Sequence, residues 1–212
     1  MHKHALALFA VVSLLSSSAA FAAQPSFTMA QVIGYPYPDT LVGDEGGHAI
    51  AYVLDTRGVR SLWFAQAPAF MPKELFVSDG DDGQELSDVA VSDDDAHVVY
   101  VRGGDHDSNW PTALQPDPDS SPVQPEMQVW SAATSGSAPK LLGDGDAPVI
   151  SPDGTRVAYT NGGAVMIAPI DGSAQPKRLF FDRGTDSDLH WSPDGTTLAF
   201  VTDRGDHSFI AN

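Results

Sequence analysis

The chain has 212 residues, no cysteine and a formal net charge of −17. The missing cysteine excludes a disulfide frame, a thiolate nucleophile, a lipidated cysteine and a cysteine-based zinc site. The acidity excludes a nucleic-acid backbone binder, which needs clustered lysine and arginine, and reads instead as a solvated surface, since most aspartates sit in turn phrases.

The N-terminus reads as an export signal, residues 1–22. His2, Lys3 and His4 make a weakly basic start, and Ala5 to Leu15 form an apolar run too short to span a bilayer as a helix. Ala20-Phe21-Ala22 then fits the small-x-small rule for cleavage before Ala23. No later stretch is apolar enough to cross a membrane, so the expected location is the periplasm or outside the cell, with no membrane contact after cleavage. Residues 23–43 are a lead-in segment, with one short helix near Thr28 to Ile33 running into Tyr35-Pro36.

From residue 44 a phrase recurs four times. Ser151-Pro152-Asp153-Gly154-Thr155-Arg156-Val157-Ala158-Tyr159 returns as Ser192-Pro193-Asp194-Gly195-Thr196-Thr197-Leu198-Ala199-Phe200. Looser copies run from Ser92 to Tyr100 and from Asp44 to Tyr52. Each is a polar turn followed by a strand ending in an aromatic. The starts at 44, 92, 151 and 192 lie 48, 59 and 41 residues apart, against the roughly 40–45 residues of a four-stranded blade. The long spacing is explained by a Pro-, Asp- and Ser-rich insertion at 103–125, expected to be a loop. A second marker keeps step: Pro72-Lys73, Pro139-Lys140 and Pro176-Lys177 each precede the next start.

Short β-branched and aromatic runs fill the units: Val89–Val91, Val98–Val101, Met127–Trp130 and Lys140–Leu142, then Pro148–Ile150, Val157–Thr160, Val165–Ile167 and Arg178–Phe181. Ile50–Val53 and Leu198–Val201 are the matching second strands of the outer units. These strands are apolar on both faces, which suits sheets packed between neighbours. Small residues at their centres, Ala51, Ala158 and Ala199, let the sheets approach closely. The expected fold is an all-β propeller of about four blades, residues 44–212, forming an incomplete ring. The last unit has three strands, ending with Ser208-Phe209-Ile210. A self-closed four-bladed ring is the alternative.

These stretches resemble the N-terminal part of the prolyl oligopeptidase family of serine peptidases, in its dipeptidyl-peptidase and acylaminoacyl-peptidase branch. The carriers are Tyr37-Pro38-Asp39-Thr40-Leu41-Val42, Arg57-Gly58-Val59-Arg60-Ser61-Leu62-Trp63, Asp81-Asp82-Gly83-Gln84-Glu85-Leu86-Ser87-Asp88 and Tyr100-Val101-Arg102-Gly103-Gly104-Asp105. Trp191-Ser192-Pro193-Asp194-Gly195 is shared with TolB-type propeller repeats. The resemblance implies a propeller that caps an α/β-hydrolase domain carrying the catalytic triad. This chain has no G-x-S-x-G elbow, so no catalytic residue is carried over, and Glu126 has no paired acid beside it.

No catalytic, cofactor-binding or metal residue is therefore assigned, and no cofactor is implied. The repeated aspartates build turns, since radially distributed copies cannot converge on one site. Asp105-His106-Asp107 reads as a polar loop, His190 as a packed or partly exposed side chain, and Asp206-His207 as a turn beside Arg204. Asp79, Asp81, Asp82, Glu85 and Asp88 lack calcium-loop spacing and read as a solvated inter-blade loop. Trp63, Trp130 and Trp191 read as blade core, whereas Trp110 lies in the insertion. The expected function is a propeller that gates peptide substrates to a hydrolase domain absent from this chain. The alternative is a stand-alone periplasmic propeller of TolB type that binds a protein partner.

Overall fold

A computed structural model describes residues 27–103 and 126–212. The signal at 1–22, its cleavage point, Asp105-His106-Asp107 and Trp110 lie outside the described residues. Helix α1, Met29–Ile33, forms where the lead-in helix is expected. Its start is closed by a capping box: the Gln31 amide donates to Thr28 Oγ1, and the Thr28 amide donates back to Gln31 Oε1 at 2.9 Å.

The described residues otherwise form antiparallel sheets in chain order. Blade 1 holds β1 Tyr37–Gly43, β2 Ala49–Thr56, β3 Val59–Gln66 and β4 Lys73–Val77. Blade 2 holds β5 Leu86–Val91, β6 His97–Arg102, β7 Gln128–Ala133 and β8 Lys140–Asp144. In blade 3 are β9 Asp146–Ile150, β10 Arg156–Asn161, β11 Ala164–Pro169 and β12 Lys177–Arg178. Blade 4 has three strands, β13 Thr185–Trp191, β14 Leu198–Asp203 and β15 Ser208–Ala211. Within each blade every strand pairs with the one before it in sequence, and each blade packs on the next. This is an arc of a propeller, and its ring is incomplete.

The repeated phrase sits between the first and second strands, because it is a strand connection and not a blade boundary. Blade 1 consequently begins at Tyr37, taking in seven residues of the segment read as lead-in. The last strand of blade 3 is also shorter than Arg178–Phe181. Arg178 Nε donates to the Phe180 carbonyl at 2.8 Å, and Phe180 leaves the sheet to stack on Phe200 of blade 4 at 4.8 Å.

The turn itself is a closed hydrogen-bond circuit. Ser151 Oγ donates to Asp153 Oδ1 at 2.6 Å and accepts from the Arg156 amide at 3.0 Å, while Asp153 also accepts from the Thr155 amide and hydroxyl. Ser192 with Asp194, and Ser92 with Asp94, repeat the hydroxyl–carboxylate bond at 2.6 Å. Blade 1 compresses the device into one residue: Asp44 Oδ1 accepts the Ala49 amide directly, at 2.6 Å. The fourth position needs positive φ. Gly154 and Gly195 supply it at 67° and 65°, and blade 2 uses Asp95 at 57°, a residue type that tolerates the left-handed region.

Those hydrogen bonds stabilise the charged carboxylate. The Ser151 hydroxyl, with Thr155, holds the Asp153 carboxyl down at about 2, and the Ser192 hydroxyl, with Thr196, does the same for Asp194. A depressed folded-state pKa contributes stability that is complete above the ordinary carboxylate range and disappears as pH falls through the folded value. Stability is therefore expected to decline between about pH 4 and pH 2. The double variant Asp153→Asn, Asp194→Asn should show a flatter acid limb when urea midpoints are plotted against pH. An unchanged slope would refute the assignment.

The second strands divide their side chains between two neighbours. In β6, Val98 and Tyr100 pack toward blade 1 and Val99 and Val101 toward blade 3. In β10, Val157 and Tyr159 face blade 2 and Ala158 faces blade 4. All seven are 0 % exposed. The core is thus three apolar layers between blades, and the period-2 alternation of a strand distributes each sheet over both.

A candidate binding groove on the inner strands

The first strand of each blade carries an irregularity at the same place. Register shifts at Ser87–Ala90 of β5, Asp146–Val149 of β9 and Ser187–His190 of β13 accompany positive φ at Asp88 (47°), Ala147 (49°) and Asp188 (50°), and β1 shifts between Pro38 and Leu41 without one. Such bulges bend a strand and increase its twist. They aim the following residues of β5, β9 and β13 into one groove of about 490 Å³, which β1 completes through Val42 and Gly43. Val89, Val91, Ile150, Leu189 and Trp191 are among its apolar lining residues. Glu45, Asp93 and His190 provide its charged and titratable groups.

His190 is exposed in this groove, and its strand register pairs it with Ala199. Trp191 is half-buried, as expected for blade core; its Nε1 donates to the Val149 carbonyl of blade 3 at 3.2 Å, and the Arg156 guanidinium lies 4.7 Å over its ring. Trp63 stacks on Tyr52 at 6.3 Å, and Trp130 packs against the layer between blades 1 and 2.

The other polar groups singled out do not meet here. Arg102 pairs with Asp82, and Arg60 lies 3.8 Å from Asp81, so the acidic run is tied to blade edges by arginine. Asp206 and His207 make an exposed 3.0 Å contact beyond β14, in a turn, as expected. Asp186 is 2 % exposed with both carboxylate oxygens lacking hydrogen-bond partners; burial, and then the neighbouring Asp182 charge, push its carboxyl up.

One juxtaposition is not legible as a unit in the sequence. Asp44, His48 and Asp95 place one donor atom each within 4.8 Å of the others. Asp44 and His48 are four residues apart, a visible spacing, but Asp95 belongs to the next blade's turn.

No protein-family model matches the chain, and no curated protein matches it. Solved structures do. An acylaminoacyl peptidase in complex with Z-Gly-Gly-Phe-chloromethyl ketone matches with a TM-score of 0.54 and 11 % identity, over 82 % of this chain and 30 % of that one. A prolyl endopeptidase matches at 0.53 and 16 %, over 84 % and 28 %. An oligogalacturonate lyase in complex with manganese matches at 0.53 and 13 %, over 82 % and 50 %. The chain thus spans half or less of the length of each of these structures. The likeness establishes the propeller fold, and proteins named for different reactions share it, so the fold does not select the chemistry. Among the described residues no helix is long and apolar enough to cross a membrane.

Proposed function

We propose that this chain is the propeller portion of an exported serine peptidase of the prolyl oligopeptidase family, and that it governs peptide access to a hydrolase domain lying beyond these 212 residues. The observation that carries the reading is the inner groove. The first strands of all four blades converge on it, and its lining mixes apolar side chains such as Val91, Ile150 and Trp191 with Glu45, Asp93 and His190. Such a mixed lining suits an extended peptide, whose backbone needs polar partners and whose side chains need apolar contact. The sequence stretches that resemble the family, and the likeness of fold to two peptidases, support the same reading. Export to the periplasm or beyond is part of the proposal and rests on the N-terminal residues 1–22.

Covalent hydrolysis in that family requires a serine on an elbow, a histidine base and an orienting acid. In this chain the serines of the repeated phrase are committed to turns: Ser92, Ser151 and Ser192 each donate to an aspartate two residues on. The 212-residue chain is expected neither to react with a fluorophosphonate serine probe nor to hydrolyse dipeptidyl or acyl-aminoacyl chromogenic substrates. Protein expressed from the longer reading frame is expected to do both. Stoichiometric labelling of the 212-residue chain would sink the reading. So would a frame that closes after Asn212, which would favour the stand-alone propeller that binds a protein partner.

A further inference from the structure

We propose that Asp44, His48 and Asp95 bind one divalent transition-metal cation, of which Zn²⁺ is the best-matched probe, and that the ion clips the β1–β2 turn of blade 1 to the β5–β6 turn of blade 2. The three donor atoms lie within 4.8 Å of one another, and His48 Nδ1 is 3.7 Å from Asp44 Oδ2. A tetrahedral zinc with ligands at its usual bond lengths sets donor atoms about 3.4 Å apart. The remaining closure is a side-chain adjustment, which His48 can make because its side chain is 72 % exposed.

Independent of the cluster's composition, one oxygen of each carboxylate is buried without a hydrogen-bond partner. The Asp44 side chain is 1 % exposed; its Oδ1 takes the Ala49 amide, but Oδ2 is buried with no hydrogen bond and is aimed at His48. Asp95 repeats the pattern: Oδ2 accepts from Gln66 Nε2 at 2.8 Å, and Oδ1 is buried with no hydrogen-bond partner. One oxygen of each carboxylate is thus buried without a hydrogen-bond donor, a costly arrangement that a cation would relieve. Space for the ion is also kept clear. A Cβ at Gly46 would sit 2.7 Å from His48 Nδ1 and 2.8 Å from Asp44 Oδ2, so any larger residue there presses on both donors.

The donor set chooses the metal. Calcium and magnesium take shells of oxygen, whereas an imidazole with two carboxylates suits zinc or a similar first-row ion. Two carboxylates also cancel the dication's charge. Asp95 is the member peculiar to this site: glycine holds its turn position in the other three copies, at Gly47, Gly154 and Gly195.

That peculiarity supplies the test. Asp95→Gly restores the turn residue of the other copies and removes one ligand, losing beside it only the exposed hydrogen bond from Gln66, and His48→Ala removes an exposed ligand. Asp44 is left intact, since its Oδ1 also closes the turn. The EDTA-stripped 212-residue chain, made without a polyhistidine tag, is titrated with ZnCl₂ by calorimetry, with CaCl₂ as control. Bound Co²⁺ is read by visible absorption, and Tm is recorded with and without zinc. Expected is one Zn²⁺ per chain, a zinc-dependent rise in Tm, and weak calcium binding. Each variant should lose affinity by more than the roughly 10- to 100-fold that loss of a ligand's supporting partner costs, while Asp95→Gly keeps the metal-free Tm of the parent. The proposal is overturned if the parent binds no zinc stoichiometrically, if either variant keeps parental affinity, or if calcium binds as tightly as zinc.

Discussion

Replacing Tyr100 by alanine is expected to cost about 3–5 kcal/mol of stability, the range for deleting a buried aromatic ring. Tyr100 is 0 % exposed, lies in the layer between blades 1 and 2, and meets Phe76 at 5.8 Å between ring centroids. Two companion changes isolate the cause. Tyr100→Phe is expected to cost nothing, because the hydroxyl is buried with no hydrogen-bond partner, and removing such a group releases a desolvation penalty. Tyr52 occupies the same place in blade 1, but no described blade precedes it and it is half-exposed. Tyr52→Ala should therefore fall near about 1 kcal/mol, the centre of ordinary substitutions. Urea unfolding of the three variants checks the order; equal losses at Tyr100 and Tyr52 would show that the layer between blades is not what holds the ring.

Adding bulk at the centre of a second strand is expected to have a large effect at Ala158 and a small one at Ala199. Ala158 is 0 % exposed against Leu189 and Leu198 of blade 4. A leucine there must push two sheets apart, at about 1–3 kcal/mol for overpacking. Ala199 has the same position in blade 4 and is half-buried, with no described blade beyond it. Ala199→Leu should stay within about 0.5 kcal/mol, as at a surface site. The two substitutions are chemically identical, so thermal unfolding measures the presence of a packed neighbour and nothing else. A large loss at Ala199 would indicate that blade 4 is covered in solution, by ring closure or by a second copy.

Much of this architecture is legible in the residues. The polar phrase announces its own circuit, because Ser, Asp and Gly at fixed offsets can satisfy one another locally. Thr28 and Gln31 likewise carry the cap of α1 in their spacing. The second strands are marked by an aromatic end, and three of them by a central alanine, and all four form. The end of blade 3 departs from its pattern: Phe180 and Phe181 have strand-forming side chains, yet Phe180 finds a better partner in Phe200 and leaves the ladder.

The groove is much less legible. His190 stands out in the sequence, but its neighbours along the groove come from four separate strands. The bulges on those strands occupy Asp88, Ala147 and Asp188; the first and third share a Ser-Asp pair, whereas Asp146-Ala147-Pro148 does not follow it. Aspartate tolerates positive φ, but Ala147 has no such preference and takes it at the same place, so the pairing of first with second strand imposes it.

The order of residues alone specifies everything that depends on contacts within a few positions: the turns, the helix cap, the blade period and the direction each strand's alternation must take. Packing of the blades settles what depends on adjacency between them. It makes Ala158 and Ala199, or Tyr100 and Tyr52, unequal although their sequence contexts match. It also brings Asp95 against Asp44 and His48 across a blade boundary. The physical reason is range: a hydrogen-bonded turn is closed by its own residues, whereas burial, a groove and a shared ligand site exist only once one sheet has packed on the next.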